Sequence, residues 1–306
     1  MCKPDLRVRL CGLEWKNPVA TASGTFSARD SGKYYDFSRL GAITAKGLSA
    51  VPWQGNPAPR VAETWGGMLN AIGLENPGAD RFIAEELPFV RDCIGNAGTR
   101  VIVNVAGHSV EEYCMAAEKL DAADVDMLEL NISCPNIREG GIGFGTDPRM
   151  AAAVTSAVRK RVKKPLIVKL TPNVTDITEI ARAAEAAGAD ALSLINTLTG
   201  MRIDVKRRAP VLANGSGGLS GPAVKPVAVL MVWRVARAVG IPIIGMGGIM
   251  CGEDAAEFLM AGASAVAVGT AALANPAAPA EILEELTAFM AENGFADVEA
   301  LRNALR

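Results

Sequence analysis

The sequence contains one histidine in 306 residues, and its six cysteines include no C-x-x-C pair. A single histidine, His108, leaves little scope for histidine-dependent acid–base or metal chemistry, and we expect it at the surface or capping a helix. The irregular cysteine spacing predicts no disulfide framework, zinc site or iron–sulfur cluster held by this chain alone. We expect most of the cysteines to be small buried hydrophobic residues. They are Cys2, Cys11, Cys93, Cys114, Cys134 and Cys251.

Long apolar runs are also lacking, so the sequence predicts no membrane span. The most apolar stretch, from Val224 to Met250, is interrupted by a lysine and two arginines. The first residues, MCKPDLRVRLCG, lack the apolar core of a signal peptide and do not form a basic amphipathic helix. A formal charge of −2 provides no basic face for nucleic acid. We therefore expect a soluble, cytoplasmic protein with no nucleic-acid or membrane partner.

Short apolar runs alternate with amphipathic stretches along the chain, after an opening that predicts a β-ribbon, LRVRLCGLEWKN. Such alternation is typical of βα units and a parallel sheet. The eight runs are PVATASG, GAITAKG, RVIVNVAG, MLELNIS, LIVKLT, ALSLINT, IPIIGMGG and AVAVGT. The predicted helices are Pro77–Cys93, Val110–Asp121, Pro148–Val162, Asp176–Ala187, Pro222–Val239, Gly252–Ala261 and Pro276–Glu292.

Eight βα units in roughly 290 residues match the size of a (β/α)₈ TIM barrel. A doubly wound sheet is the alternative, but PVATASGTF contains no G-x-G-x-x-G fingerprint. We expect one domain over residues 1–306, with elongated loops at Val51–Asn76, Cys134–Thr146 and Leu198–Gly221. All three loops follow strands, so they gather at the C-terminal face of the barrel, where active sites are built.

Polar or small residues stand at the end of every predicted strand. They are Ser23-Gly24, Lys46-Gly47, Asn104, Asn131 with Cys134, Lys169, Asn196-Thr197, Gly247-Gly248 and Gly269-Thr270. The glycines of the last two strand ends allow backbone N–H groups to approach an anion closely, and loops at this place commonly hold a phosphate in TIM barrels. The alternative is that glycines simply end parallel strands. Flavin mononucleotide (FMN) would satisfy both a phosphate site and a polar mouth.

Two lysines at strand ends have apolar neighbours, Lys169 in LIVKLT and Lys46 in ITAKG. Burying a lysine without a partner is costly. Each lysine therefore forms either a structural salt bridge or a fixed positive charge beside a flavin ring, where it would favour reduction.

The segment from Asn131 to Asn136, NISCPN, indicates an exposed loop thiol. Pro135 ends the strand, so Cys134 is expected to project over the mouth, followed by a flexible glycine-rich lid, EGGIGFGT. A thiol can act as a base, since its reference pKa of about 8.5 lies near physiological pH. The alternative is an inert loop cysteine.

The chain resembles the dihydroorotate dehydrogenase family along essentially its whole length. The motifs that carry this resemblance, in family order, are ASGTF, ITAKG, NPAPRVAET, MLNAIGLENPG, NVAG, ELNISCPN, GIGFGTDP, IVKLTPN, INT, GGLSGPAVKP, GMGGI and VGTA. The resemblance implies oxidation of dihydroorotate to orotate in pyrimidine synthesis. Cys134 would act as the base that removes a proton from a ring carbon, and hydride would pass from the adjacent carbon to FMN.

The resemblance also implies which residues bind the ligands. The residues that resemble the orotate-binding set are Lys46, Asn70, Ala71, Ile72, Gly73, Leu74, Asn131, Asn196 and Thr197, of which Asn70 to Leu74 would supply amide donors to the substrate carboxylate. Those that resemble the FMN-binding set are Ser23, Lys46, Gly47, Asn104, Asn131, Lys169, Ile195, Gly221, Gly247, Gly248, Gly269 and Thr270.

Within the family, the chain is most similar to class 1B. Class 2 members use serine as the base and carry an N-terminal membrane segment, whereas this chain has Cys134. GTF after Ser23, GNPAPR and GGLSGPAVKP resemble class 1B rather than the fumarate-linked class 1A. Class 1B implies a homodimeric core joined to a partner subunit with FAD and a 2Fe-2S cluster, which passes electrons to NAD⁺. The chain departs from the family at Ser27–Asp30, where a glycine and an aromatic residue are usual.

Alternatives remain open. A related flavoenzyme that reduces uracil or thymine shares the barrel and an N-x-S-C-P pattern, but it needs less recognition of a carboxylate. A phosphate-binding barrel lyase or isomerase would be colourless, and a non-catalytic barrel would not depend on Cys134.

Overall fold

The computed structural model describes residues 3–134 and 142–305, and eight parallel strands in it close into a barrel. Each strand pairs with the next one along the chain, and the eighth pairs with the first. This is the (β/α)₈ TIM barrel that the sequence predicts. The strands are β1 (Val19–Thr21), β2 (Ala42–Leu48), β3 (Arg100–Val105), β4 (Met127–Asn131), β5 (Leu166–Lys169), β6 (Ala191–Leu194), β7 (Ile243–Met246) and β8 (Ala265–Val268).

Helices follow the strands from β2 onward and lie outside the barrel. They are Ala79–Arg81 continuing through the π-turn Phe82–Glu86 into Leu87–Ile94, then Val110–Asp121, Pro148–Arg159, Ile177–Ala186, Lys225–Ala236, Gly252–Met260 and Ala278–Glu292. The predicted helices lie at these places, with ends that differ by up to three residues. Ser109, Asp147 and Asp176 cap three of the helices by accepting hydrogen bonds from backbone N–H groups of the first turn. After β1 the chain forms only the four-residue helix Ala28–Ser31 and a 3₁₀ turn at Phe37–Arg39.

The barrel separates two apolar cores. One lies between strands and helices, and the other fills the interior of the barrel near the N-terminal ends of its strands. Because side chains alternate along a strand, Met127 of β4 points into this interior core, and Glu129 and Asn131 follow it on the same face. The interior is therefore apolar at the bottom and polar at the top. The predicted β-ribbon, Val8–Leu10 with Leu13–Trp15, closes the bottom.

The long loops at the top of the barrel are more ordered than the sequence predicts. Two of them contribute an antiparallel sheet in the order Leu198–Gly200, Gly217–Ser220, Gly67–Asn70 and Val61–Thr64. The expectation of irregular structure there was wrong. Strands of three or four residues are too short to show an alternating pattern, and their pairing joins segments about 150 residues apart along the chain. The third loop carries a short helix, Ile142–Gly145. Most of the predicted lid falls at residues 135–141, outside the described residues.

Cysteine burial differs from the expectation. Cys114 and Cys134 are buried, Cys11 and Cys251 are half-buried, and Cys93 is exposed. Among the residues that the structure describes, no helix is both long and apolar enough to cross a membrane.

Candidate active site

A cavity of about 360 Å³ opens among the C-terminal ends of the barrel strands. This volume lies in the range of small-molecule and cofactor sites. The antiparallel sheet forms part of its wall through Met68, Asn70 and Leu219. The predicted site residues that line it are Ser23, Lys46, Gly47, Asn70, Ile72, Gly73, Leu74, Asn104, Asn131, Cys134, Lys169, Ile195, Asn196, Thr197, Gly247, Gly248, Gly269 and Thr270.

Lys169 is the deepest cation of the cavity, with only 4% of the residue exposed. Its Nζ donates a hydrogen bond of 3.0 Å to Oγ of Ser23 and lies 3.9 Å from Oε2 of Glu129. Glu129 is itself 2% exposed. Lys169 therefore has a buried carboxylate close by, as the salt-bridge alternative requires, and it also lines the cavity.

A chain of hydrogen bonds runs along the wall from Glu129 through polar residues of three strand ends. Nδ2 of Asn104 donates to Oε2 of Glu129 at 2.5 Å, and Nδ2 of Asn131 donates to Oδ1 of Asn104 at 3.0 Å. Oγ of Ser133 donates to Oδ1 of Asn131 at 3.0 Å, and Nδ2 of Asn196 donates to Oγ of Ser133 at 2.8 Å. These side chains are held in defined orientations by partners within the wall. We call Glu129, Asn104, Asn131, Ser133 and Asn196 the polar chain.

Lys46 is a half-buried residue of β2. It lies across the mouth of the cavity from Asn196, the last residue of the polar chain. Burial lowers the pKa of its ammonium, the nearby Glu75 opposes this shift, and Arg60 adds to it. With Lys169 it gives the cavity two cations. An anionic ligand would relieve the cost of holding them there.

The segment from Asn70 to Leu74 follows a strand of the antiparallel sheet and turns sharply. Gly73 has a φ of +74°, and Leu74 has a φ of +55°, which is uncommon for a residue with a side chain. A Cβ atom on Gly73 would come within 2.8 Å of the backbone nitrogen of Asn56. The sharp turn brings Ile72, Gly73 and Leu74 to the cavity wall.

Cys134 lines the cavity directly after the polar chain's Ser133 and is 5% exposed. The expectation that it projects from an exposed loop was therefore wrong in detail, because the thiol lies in the wall and not above it. A buried thiol is shielded from bulk water, which suits proton transfer between the thiol and a bound molecule.

The ends of β7 and β8 form a glycine-lined corner of the cavity. Gly247 and Gly248 have φ values of +123° and +80°. A Cβ atom on Gly248 would lie 2.8 Å from the carbonyl oxygen of Gly221 and 2.9 Å from the backbone nitrogen of Lys225. Gly248 therefore has no room for a side chain. Because Gly247 and Gly248 both line the cavity, a bound anion can approach the main chain there.

Two predicted site residues lie behind the wall. Ala71 is fully buried, and its backbone nitrogen donates to the carbonyl oxygen of Arg60 at 2.7 Å. Gly221 packs against Gly67, and a Cβ atom on it would lie 2.6 Å from that residue's Cα. Ala71 and Gly221 are therefore held by their packing and backbone contacts, away from the cavity wall.

Sequence reasoning missed other residues of the site. Glu129 lies behind the wall and contacts two lining residues, Lys169 and Asn104, and its signal was a charged residue inside an otherwise apolar strand, MLELN. The lining residues that sequence reasoning missed are Ala22, Thr25, Val61, Met68, Leu219, Ser220, Val224, Met246, Ala267 and Leu273.

The loop that departs from the family, Ser27–Asp30, forms the start of the short helix after β1. Arg29 contacts Glu86 at 2.9 Å and lies 4.4 Å from the ring centre of Phe89, so it fixes this loop to the neighbouring helix. His108, predicted at the surface or capping a helix, lies just before the cap residue Ser109 and stacks on Trp53 at 4.0 Å.

Comparison with known proteins agrees with this geometry. The family model for dihydroorotate dehydrogenase matches residues 5–290. This chain belongs to the dihydroorotate dehydrogenase family. It is 57% identical over 306 residues, covering all of both chains, to the dihydroorotate dehydrogenase B (NAD⁺) catalytic subunit of Alkaliphilus metalliredigens. It is 58% identical to the subunit of the same name from Lachnoclostridium phytofermentans, over 97% of this chain and 98% of the relative.

A relative from a different bacterium has the same name. The catalytic subunit of Geobacter sulfurreducens is 56% identical over 307 positions, covering all of this chain and 99% of the relative. The match thus extends over at least 97% of this chain and of each of these relatives.

Proposed function

We propose that this chain is the catalytic subunit of an NAD⁺-linked dihydroorotate dehydrogenase, which oxidises dihydroorotate to orotate in pyrimidine synthesis. The observation that carries the proposal is the cavity. It combines a buried thiol, two lysines and a chain of amides in a protein that matches relatives of this name over their whole length. We also propose that residues 1–306 act as one FMN-binding domain and that the protein is cytoplasmic.

The donor set of the cavity fits FMN. Gly247, Gly248, Gly269 and Thr270 form a corner of small residues that suits a phosphate, and Lys169 with Asn104 lies at the buried end that suits a flavin ring. Ser23, Gly47, Asn131 and Ile195 complete the wall between them. When bound, FMN would supply the acceptor for the hydride that leaves the substrate.

The substrate would lie between Cys134 and the turn from Asn70 to Leu74. Lys46 and three residues of that turn, Ile72, Gly73 and Leu74, line the cavity, and its ammonium and their backbone N–H groups would bind the carboxylate. Asn131, Asn196 and Thr197 would hold the amide and carbonyl groups of its ring. Ala71 would contribute only through the turn that it anchors.

Cys134 would act as the general base. Its Sγ would take a proton from one ring carbon, and a hydride would leave the adjacent carbon for the bound flavin. Two C–H bonds would break and one C=C bond would form, so the substrate would lose two electrons in all. The low exposure of Cys134 excludes water from that transfer. The polar chain would hold the ring in line with the thiol.

Electron transfer to NAD⁺ would require a partner subunit with FAD and a 2Fe-2S cluster, bound to a homodimer of this chain as a heterotetramer. Support comes from the words "catalytic subunit" and "NAD⁺" in the names of the relatives. Within the described part of this chain, no group of three or more His, Cys, Asp or Glu side chains is placed to hold a metal ion.

The deciding experiment is an absorbance spectrum of the purified chain before and after anaerobic addition of dihydroorotate. We expect a yellow protein whose flavin absorbance bleaches. A yellow protein that bleaches with dihydrouracil and not with dihydroorotate would replace the substrate by another dihydropyrimidine. A chain that remains colourless after added FMN would refute the redox function.

The acceptor needs a second experiment, in which the bleached protein is mixed with NAD⁺ or fumarate. We expect slow reoxidation by either compound alone and rapid reoxidation by NAD⁺ once the partner subunit is added. Rapid reoxidation by fumarate without a partner would assign the chain to class 1A.

A further inference from the structure

Glu129 is a buried carboxylate that the proposed chemistry does not use. It lies on β4 with 2% exposure and does not line the cavity. Its Oε1 accepts a hydrogen bond from Oγ of Ser193 at 2.7 Å, and its Oε2 accepts one from Nδ2 of Asn104 at 2.5 Å. Lys169 is 3.9 Å away, outside hydrogen-bond distance. Of the two cavity-lining residues near Glu129, Asn104 and Lys169, Asn104 is therefore the one within hydrogen-bond distance.

The hydrogen bond to Asn104 fixes which way that amide points. A carboxylate can only accept, so Asn104 must turn its NH₂ toward Glu129 and its oxygen toward Asn131. Asn131 must then donate to Asn104, which leaves its own oxygen to accept from the backbone nitrogen and hydroxyl of Ser133. The Ser133 hydroxyl accepts in turn from Asn196.

Every donor in the polar chain thus points toward Glu129. An amide on its own can be turned over with little change of shape, which exchanges a donor for an acceptor at the cavity wall. Within a connected chain, turning one amide would place donor against donor at the next contact. Two backbone N–H groups, which can only donate, already fix the oxygens of Asn131 and Asn196, because Ser133 donates to the first and Thr197 to the second. The carboxylate of Glu129 does the corresponding work for the NH₂ of Asn104.

We propose that Glu129 is a positioning residue that holds the amide of Asn104, and thereby sets the donor and acceptor pattern that Asn104 presents to the substrate and cofactor beside Asn131. This inference rests on the proposed function, because the pattern matters only for a ligand with amide and carbonyl groups. Glu129 acts through Asn104 and touches neither ligand. Its role depends on an oxygen that accepts, and the negative charge is secondary.

The test compares Glu129→Met with Glu129→Gln and measures the Kd for orotate by calorimetry with saturating FMN. Methionine has similar length and removes the acceptor. Glutamine can keep a carbonyl oxygen toward Asn104 while its NH₂ meets the Ser193 hydroxyl, which can accept as well as donate. We expect Glu129→Met to raise the Kd at least about tenfold and Glu129→Gln to stay within about threefold of wild type.

Loss of a buried carboxylate next to Lys169 could prevent folding of both variants, so the comparison is repeated without the lysine. Lys169→Met/Glu129→Met and Lys169→Met/Glu129→Gln bury no charge and differ only in the acceptor. We again expect the glutamine form to bind orotate about tenfold more tightly. Asp126→Asn is the control, because Asp126 pairs with Arg91 and Arg100 just before β4, at the opposite end of the barrel. It should leave the Kd within about twofold of wild type.

Equal Kd values for the methionine and glutamine forms would overturn the assignment and leave Glu129 as a charge partner of Lys169. An unchanged Kd in Glu129→Met would do the same. If the wild-type chain binds dihydroorotate and orotate, and the methionine and glutamine forms have equal Kd values, the proposed function remains and only the role of Glu129 is refuted. A wild-type chain that binds no orotate would overturn both.

Discussion

Lys169 donates a hydrogen bond of 3.0 Å to Ser23, although the two residues end strands on opposite sides of the barrel. The lysine side chain therefore crosses the interior, and its ammonium lies near the barrel axis beneath the cavity. A charge held there acts on any ligand in the mouth, because the surrounding protein screens it less than water would.

We expect Lys169→Met to weaken FMN binding and to lower the reduction potential of the bound flavin by tens of millivolts. About 30 mV corresponds to ~1.4 kcal/mol for a two-electron couple. The variant should also lose about 3 kcal/mol of stability, because Glu129 is left buried without a nearby cation. Potentiometric titration of the flavin and chemical denaturation measure the two effects.

Lys160→Met is the matched control for that variant, because Lys160 is exposed at the end of the helix Pro148–Arg159. It removes the same charge far from the cavity and should change neither the potential nor the affinity. A potential and an FMN affinity in Lys169→Met equal to those of wild type would show that the lysine is structural only.

We expect Cys134→Ala to keep FMN and to lose about 10²- to 10⁴-fold in dihydroorotate oxidation, because only the base is removed. Cys114→Ala is the control. Cys114 is 1% exposed, lies in the helix Val110–Asp121 and does not line the cavity. Its removal should lower stability by about 1 kcal/mol and leave turnover intact. Anaerobic stopped-flow measurement of flavin bleaching gives the rate of the chemical step directly, and full activity in Cys134→Ala would remove the thiol from the mechanism.

Cys134→Ser tests the same assignment through pH. A hydroxyl is a weaker base than a thiolate, so the variant should be slower than wild type near neutral pH and should recover part of its rate as the pH rises. A rate that does not respond to pH across this range would count against proton removal at position 134.

The barrel was predictable because its evidence is local. Each strand is a short apolar run between amphipathic helices, and parallel strands all end at one face, so polar strand ends such as Lys46, Asn104 and Lys169 had to converge. The antiparallel sheet was not predictable in this way. Its pairing of Gly218 with Asn70 depends on where the barrel brings two distant loops, and neither short segment has a strand pattern of its own.

The candidate site shows the same division. Glu129 has the same signal as Lys169, a charge among apolar strand residues, but it stands two residues before the strand end and so escaped a search of the strand ends alone. Ala71 was predicted as a site residue together with its neighbours in the turn, although its backbone contact with Arg60 holds it away from the cavity. Which side of a turn faces a ligand depends on tertiary hydrogen bonds.

We expect Lys46→Met to raise the stability of the ligand-free protein while it abolishes tight orotate binding. Burial lowers the pKa of Lys46, so the folded protein holds this proton less tightly than the unfolded chain does. The contribution of Lys46 to the free energy of unfolding is therefore lowest at pH values below its folded-state pKa. It rises as the pH increases toward the ordinary lysine pKa of 10.5. The gain in Lys46→Met should be on the order of 1 kcal/mol at neutral pH and should shrink at high pH.

Thermal unfolding at several pH values, with the exposed Lys206→Met as control, measures this gain. A Lys46→Met variant that is less stable than wild type at neutral pH would show that the ammonium has a favourable contact in the ligand-free protein, and the binding role would then need a different explanation.

We expect Gly248→Ala to abolish FMN binding and to destabilise the protein by about 3 kcal/mol or more. Its φ of +80° is strained for alanine, and the added Cβ would lie 2.8 Å from the Gly221 carbonyl oxygen. Gly215→Ala separates the two effects, because Gly215 has a φ of +79° with nothing within 4 Å of a Cβ atom. That control should cost about 1 kcal/mol from backbone strain alone and leave FMN bound. Fluorescence titration of FMN into the stripped proteins compares them, and normal affinity in Gly248→Ala would move the phosphate away from the ends of β7 and β8.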